Sequence, residues 1–456
     1  MSRKKSLAQN QDPEEIQSST GMKGKKGRSG FSIFGIACEQ VDKDLIKRHL
    51  GYLVVIAVLA KLIVFFATTS IFHSFIDYFD FQYYIQAAVN ILQGQLPYAN
   101  FGFDYPPLAF IPILIAFIPA LVFQSGDAFV LMFQSLMVLC DIVTVICVYL
   151  IGLKLYNEKT AFIAAFLYAT AFSVAYFVLT KYDAFPTCIL MLAVLFTVYN
   201  RNLLGYISIV LGFLTKIFPV IALPFMGLYN AKTTSLKQEL VSILKIGIPV
   251  AVACLVPILI LKPGILLSYF SGSLVRSAVY VNTATYTLYA YLHDILHWGI
   301  SDTTVSTFMY ILMGLLLLFL VAIAYIEPKK DTRFLIKLLA ISIFIVIFCM
   351  KYHSPQYVVW FTPFVCLLVA DNLYGIVLFY ATQAITYFEF PLAFGMLYLN
   401  QNYVGASGTS LWYLALLFFT ANFTVYLLLM YVAVRPTGSH ARMLIGKIRE
   451  MVAKKS

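Results

Sequence analysis

HSFIDYFDFQYYIQAAVNILQGQLPYANFGFDYPPL, residues 73–108, is a polar, aromatic and acidic island in a very apolar chain. It holds Asp77, Asp80 and Asp104, and the segments on both sides of it read as membrane. Within it Phe81, Tyr84, Ala88, Ile91 and Leu92 recur at helical spacing, while Gln82, Gln86, Asn90 and Gln93 gather on the other side. That pattern predicts an amphipathic helix lying at a membrane surface, with Gly94 as its stop. Asp80 stands at its N-terminal end, where a carboxylate can cap free N–H groups; the same position suits a reactive carboxylate, and both readings stay open. Tyr105-Pro106-Pro107-Leu108 enforces an extended turn before the next helix, because neither proline can continue one.

Outward from the island, the 456 residues are 61% hydrophobic and only 12% charged, against about 25% charged in a soluble domain. Apolar runs near or above the ~20 residues needed to cross a bilayer recur along the chain, so the expected class is an all-α polytopic membrane protein. The ~10-residue alternating segments of a membrane β-barrel are absent. The net charge of +11 collects largely at the termini, as expected of cytoplasmic flanks facing anionic headgroups, and no nucleic-acid partner is expected. Residues 1–30 read as disordered and carry no cleavable signal pattern. The seven cysteines form no C-x-x-C, so neither a disulfide framework, a metal cluster nor a cofactor is expected.

Lysine and arginine placement sets the orientation. Both termini, residues 154–159, Arg201, residues 231–239 and residues 327–333 read as cytoplasmic. The island, residues 180–183, 262–302, 351–357 and 399–410 then fall on the opposite face. Parity is satisfied if the two-proline run 108–123 is an interfacial helix. It also requires that run 203–229 breaks near Lys216–Pro219 into two half-spans, both with cytoplasmic ends. About twelve crossings result. Lys61 and Asp141 fall near mid-membrane, where a lone charge costs roughly 2.5–3.5 kcal/mol, so mutual pairing is expected. Glu389 is given no role, and the Asn422–Thr424 sequon, inside an apolar run, reads as a chance match.

The polar groups assigned to the outer face cluster: Lys181 and Asp183, Lys216 at its break, and Lys351, His353, Ser354, Gln356 and Tyr357. Each lysine alone suits snorkelling to the interface. Together, one carboxylate and several cations at the membrane boundary suit a reaction on an anionic lipid.

Three segments then carry a resemblance. DYFDFQYYIQAAVNILQGQLPYANFGFDYPPLA, GFLTKIFPVIALP (212–224) and KYHSPQYVVWFTP (351–363) come in the order found in the GT-C membrane glycosyltransferases. They are similar to the acidic first outer loop, the Lys-x-x-Pro segment and the Ser-Pro-Gln-Tyr segment of that superfamily's mannosyltransferases that use polyprenyl- or dolichyl-phosphate mannose. These include the bacterial and archaeal polyprenol-phosphate-mannose group and the first mannosyltransferase of GPI assembly. With KYDAF (181–185) the similarity spans most of residues 50–370.

The resemblance implies a GT-C-like bundle over 51–434, with 73–127 as the first outer loop and basic cytoplasmic tails at 1–50 and 435–456. It implies inverting transfer of a sugar, mannose by family, from the lipid-phosphate donor to a hydroxyl of a lipid, glycan or protein acceptor. The reaction would occur on the non-cytoplasmic face of a prokaryotic cell membrane in preference to an endoplasmic reticulum. The family's base maps onto Asp80; because D-Y-F-D departs from a strict D-x-D, Asp77 is the rival. Lys181, Lys216, Lys351, His353, Gln356 and Tyr357 are the expected donor-phosphate and sugar ligands. The alternative is a polytopic transporter or lipid flippase, although no repeated half accompanies the single broken segment.

Overall fold

The computed structural model describes residues 32–34, 36–37, 42–71, 78–261, 264, 279–393 and 408–435. Asp77, the N-terminal tail expected to be disordered and most of the C-terminal tail lie outside the described residues. Residues 1–46 form one unit by internal contact; its described part includes a short antiparallel hairpin pairing Ser32–Ile33 with Ile36–Ala37. The second unit, residues 47–456, is all helical in its described regular structure.

Each apolar run read from the sequence is a helix or a pair of helices. They are α1 (Lys43–Phe66, extended by a π turn to Ile71), α2 (Phe79–Leu92), α3 (Phe110–Phe123), α4 (Gly126–Leu155), α5 (Glu158–Ala169), α6 (Phe172–Thr180), α7 (Ala184–Val198) and α8 (Asn202–Thr215). There follow α9 (Leu223–Asn230), α10 (Leu236–Leu261), α11 (Ala284–Ala290), α12 (Asp302–Ile326), α13 (Thr332–Cys349), α14 (Val358–Val369), α15 (Leu373–Tyr387) and α16 (Ser410–Val434). Among the described residues six helices are long and apolar enough to cross a membrane, seven if α5 and α6 count as one span, and five shorter apolar helical stretches accompany them. Leu244, Ile248 and Ile260 on α10, and Ile311, Leu315 and Leu318 on α12, are exposed. Such rows of bare aliphatic side chains require lipid around them. The chain is a multi-pass membrane protein.

Where the structure refines the sequence reading, local chemistry gives the reason. The run 160–180, read as one span, is bent by 52° between α5 and α6. The hydroxyl of Thr170 donates back to Phe166 O at 2.7 Å and competes with the helical ladder there. The run 203–229 does break at Lys216: α8 ends at Thr215 and a 3-10 turn begins at Phe218. A Cβ added to Gly212 would meet Pro219 Cβ at 3.1 Å, so the close return of the chain needs a glycine there. At the other end of this hairpin the Tyr206 hydroxyl donates to Glu239 Oε2 at 2.5 Å and accepts from Asn230 Nδ2 at 2.9 Å, tying the start of α8 to the end of α9. Two half-length helices thus leave and return to one side, as parity requires. Helix α3, at 14 residues, is about 21 Å long, less than a ~30 Å hydrocarbon core.

Lys61 on α1 and Asp141 on α4 meet at 2.5 Å with both side chains buried, so the expected pairing is found. The Asn422 amide of the sequon is buried in α16 and donates to Glu389 Oε2 at 2.6 Å, which leaves it no access for modification. In the buried Lys61–Asp141 pair, removing one partner strands a charge, at a cost of about 3–5 kcal/mol, whereas replacing both removes the problem. Thermal unfolding in detergent should therefore show a large loss for Asp141→Ala and recovery of most of it in Lys61→Met/Asp141→Leu. Equal losses in both variants would show that the pair contributes as packing and not as charge.

Candidate functional site

The island folds on its own aromatic residues. Helix α2 buries Phe81, Tyr84, Ala87 and Ala88; Ile91 is half-buried and Leu92 exposed, so the apolar face ends a turn earlier than the spacing suggests. Gly94 stops the helix at φ +78°. The chain returns so that Phe103 stacks on Tyr83 (5.4 Å between centroids) and on Phe110 (4.2 Å). The Tyr83 hydroxyl accepts from Asp104 N at 2.9 Å, and the Tyr98 hydroxyl donates to Tyr105 O at 2.5 Å. These contacts fix Tyr105 next to Tyr84, ring to ring at 6.2 Å.

Asn157, Thr283, Ser301, Asp331, Asn372 and Thr409 each accept a cap bond from a backbone N–H one turn into the helix. The helices α2 and α7, which begin at the site, have no such bond, and neither do α3, α4, α6, α8, α9 and α14. Helix α2 is capped by Tyr78 and α7 by Asp183, neither with a side-chain cap bond. Asp80 is therefore a first-turn residue and not an N-cap, and its Oδ2 lies 3.1 Å from Lys181 Nζ and 3.5 Å from the Tyr84 hydroxyl. Asp183, fully buried, receives Lys216 Nζ at 2.6 Å and the indole N–H of Trp360 at 2.5 Å, all on Oδ1. One tripeptide, Lys181-Tyr182-Asp183 between α6 and α7, thus supplies a cation to Asp80 and an anion to Lys216. Tyr182 lies beneath them, its ring 5.1 Å from Tyr105.

Around Lys216 stands an aromatic wall. Its ammonium is 5.1 Å from the Tyr105 ring, 5.3 Å from Tyr357 and 5.0 Å from Trp360, within cation–π range of all three. Trp360 is sandwiched between Phe218 (4.1 Å, interplanar 1°) and Tyr357 (3.9 Å). The prolines of the two short turns, Pro219 and Pro355, sit in the first turn of 3-10 segments where a missing N–H costs nothing, and so set the entry to α9 and α14.

These groups open on a cavity of about 700 Å³. Asp80, Lys181, Lys216, His353, Gln356 and Tyr357 line it together, as the sequence grouped them. Lys351 does not: its carbonyl accepts from Tyr280 N at 2.9 Å, and its side chain is not part of the lining. Asp104 is at the cavity too, exposed. Tyr105, Trp360, Asn282 and Phe390 also line it and were not singled out from the sequence. Trp360 and Tyr105 lie within the quoted motifs, which was the available signal. Asn282 had none beyond its place in a half-polar stretch.

Electrostatics sharpen the roles. Burial first, and then the negative charge of Asp80 and Asp183, pushes the Tyr84 and Tyr105 hydroxyls well above the usual tyrosine value, so both stay neutral donors. Burial lowers His353 to about 4, so at neutral pH it is an uncharged imidazole able to donate and accept, not a cation. The permanent positive charge at the cavity is that of Lys181 and Lys216, and each already faces a carboxylate.

No protein-family model and no curated protein sequence matches the chain. Solved structures that match include ArnT from Cupriavidus metallidurans in the apo state, with 15% identity and a TM-score of 0.40 over 72% of this chain and 62% of that one. Another is the Archaeoglobus fulgidus oligosaccharyltransferase tethered with an acceptor peptide containing the NVT sequon via a disulfide bond, with 12% identity and a TM-score of 0.39 over 85% and 56%. The chain covers less than two-thirds of the length of either.

His353 sets one pH dependence. Its folded value is about 4 against an ordinary 6.5, so between those values the unfolded chain binds the extra proton. Stability should then fall as pH drops from about 6.5 to about 4, and His353→Gln should flatten that part of the profile. Unfolding midpoints taken at intervals from pH 7.5 to 4 check this; an unchanged slope in the variant would place the acid sensitivity elsewhere.

Proposed function

We propose that the chain is a GT-C glycosyltransferase that moves a sugar, mannose by motif resemblance, from a polyprenyl- or dolichyl-phosphate donor to the hydroxyl of a lipid, glycan or protein acceptor. The reaction takes place on the non-cytoplasmic face of a prokaryotic cell membrane. The observation that carries this reading is the arrangement of Asp80, Lys181, Asp183 and Lys216. Two carboxylates and two ammonium groups alternate beside one cavity inside a frame of apolar helices.

The two ion pairs are unequal. Lys216–Asp183 is the shorter, at 2.6 Å, and is sealed by Trp360; Lys181–Asp80 is 3.1 Å long and the Asp80 side chain is 18% exposed. An arriving phosphate adds one negative charge to a set of four that balances to zero, and the pair that yields is the weaker one. Lys181 turns to the phosphate with Lys216, and Asp80 is released as a base. The acceptor O–H then loses its proton to Asp80 as its oxygen bonds to C1 of the sugar on the face opposite the leaving group. The C1–O bond to phosphate breaks, and the phosphate departs with the electron pair beside the two lysines. Fixed cations in a poorly hydrated cavity stabilise that growing charge better than bulk water does. Gln356 and Tyr357 hydrogen-bond phosphate or sugar oxygens, and His353 hydrogen-bonds those of the sugar. Lys351 acts through its carbonyl, as a tie between loops. Asp77 is the alternative base.

The test is label transfer from polyprenyl-phosphate mannose to a membrane lipid extract by purified protein. Asp80→Asn should lower the rate by about 10²–10⁴, the usual weight of a general base. Its donor dissociation constant should stay within about threefold of wild type. Full activity in Asp80→Asn, with loss in Asp77→Asn, would move the base. Uptake of label into vesicles with no new glycoside would favour the transporter. Asp183→Asn should weaken donor binding, since Lys216 would lose its anchor; unchanged binding would remove Lys216 from the phosphate site.

A further inference from the structure

Two residues of the main cavity's lining carry a buried polar atom with no hydrogen-bond partner among the described residues: Asn282 at Oδ1 and His353 at Nδ1. Both side chains belong to the cavity lining, and the fold holds them on one wall. Tyr280 N donates to Lys351 O at 2.9 Å, Thr285 Oγ1 donates to Met350 O at 3.2 Å, and the rings of Tyr280 and Tyr352 meet at 6.4 Å. The segment before α11 is therefore stitched to the loop after α13, two residues from Asn282 on one side and two from His353 on the other.

The orientation of the Asn282 amide follows from its other neighbour. Nδ2 donates to Glu389 Oε1 at 3.4 Å, and Asn422 Nδ2 donates to Glu389 Oε2. Each amide thus presents its NH₂ group to a Glu389 carboxyl oxygen, which accepts. Asn282 Oδ1 is left as an acceptor, in a residue only 2% exposed. His353, uncharged near neutrality, offers one nitrogen as donor and the other as acceptor. Buried polar groups are nearly always satisfied in a folded protein, and two orphans on one cavity wall mark where a ligand completes the set. Neither atom suits a phosphate as its main ligand, since one only accepts and the other carries no positive charge. Both suit O–H groups.

We infer that Asn282, oriented by Glu389, and His353 form a hydroxyl-reading wall that binds the sugar ring of the donor. This rests on the functional reading above, and it separates the cavity into a cationic part for phosphate, at Lys181 and Lys216, and a neutral part for the sugar. Asn282 and His353 are binding residues, and Glu389 is the positioning residue that sets the Asn282 amide.

Equilibrium binding tests this without turnover. The probes are a short-chain polyprenyl phosphate and the same polyprenyl phosphate esterified with mannose, titrated into full-length protein in detergent. In wild type the mannose ester should bind at least tenfold tighter than the bare phosphate. In Asn282→Ala and in His353→Phe that ratio should fall to within about threefold, with the affinity for bare polyprenyl phosphate unchanged within twofold, which also shows that the variants are folded. Glu389→Gln, which leaves Asn282 in place but can face it with either a donor or an acceptor, should lower the ratio as well. Equal wild-type affinity for the two lipids would overturn the inference, as would equal weakening of both in Asn282→Ala. Failure of wild type to bind either lipid would instead overturn the donor assignment on which the inference rests.

Discussion

The ammonium of Lys216 and the largely buried carboxylate of Asp183, 2.6 Å apart, are the constraint on which the site is built. Neither charge is tolerable there alone. Their pairing requires that the α8–α9 break and the α6–α7 turn meet at one depth, and the indole of Trp360 on Asp183 brings the start of α14 to the same point. Helix geometry does the rest. The turns after α6, α8 and α13 gather at one cavity, while the basic connections precede the runs that lead into them. The chemistry is assembled from three places where helices stop, and the stops are where side chains are released from serving the backbone.

That release is seen at the start of α7. Asp and Asn residues at other helix starts, Asn157, Asp331 and Asn372, spend a side-chain oxygen on the backbone. Asp183 instead spends its own on Lys216, and the helix start forgoes a cap worth about 1 kcal/mol. Asp80, in the first turn of α2, faces Lys181. Aromatic packing compensates locally: Tyr84 on Phe133 at 5.2 Å, and Tyr182 under Tyr105.

Much of this was legible in the sequence, for identifiable reasons. Charges are so rare in the chain that Asp80, Lys181 and Lys216 stood out without any alignment, and the apolar runs gave the helices. The hairpin made by α8 and α9 followed from parity and the break near Lys216–Pro219. What the sequence could not show was partner choice. The sequence offered Lys181 as a snorkelling lysine or a phosphate ligand and assigned no partner to Asp183, whereas packing sets Lys181 on Asp80 and Asp183 on Lys216. Lys351 looked like its neighbours in the motif, yet a one-residue difference in direction takes its side chain off the cavity and leaves only its carbonyl in use. Asn282 and Glu389 meet across 107 positions of sequence, a separation at which no local pattern carries a signal. The bend after Ala169 was equally hidden, since a threonine in an apolar helix more often leaves it straight.

The account stands on one claim, that the cavity beside Asp80 makes a glycosidic bond by direct displacement of a lipid phosphate. The most direct measurement is the anomeric configuration of the product formed by purified protein from labelled polyprenyl-phosphate mannose and membrane lipid. A single displacement assisted by one carboxylate predicts a new glycoside with inverted configuration at C1. A retained configuration, or label that crosses a vesicle membrane still esterified to its original lipid, would contradict it.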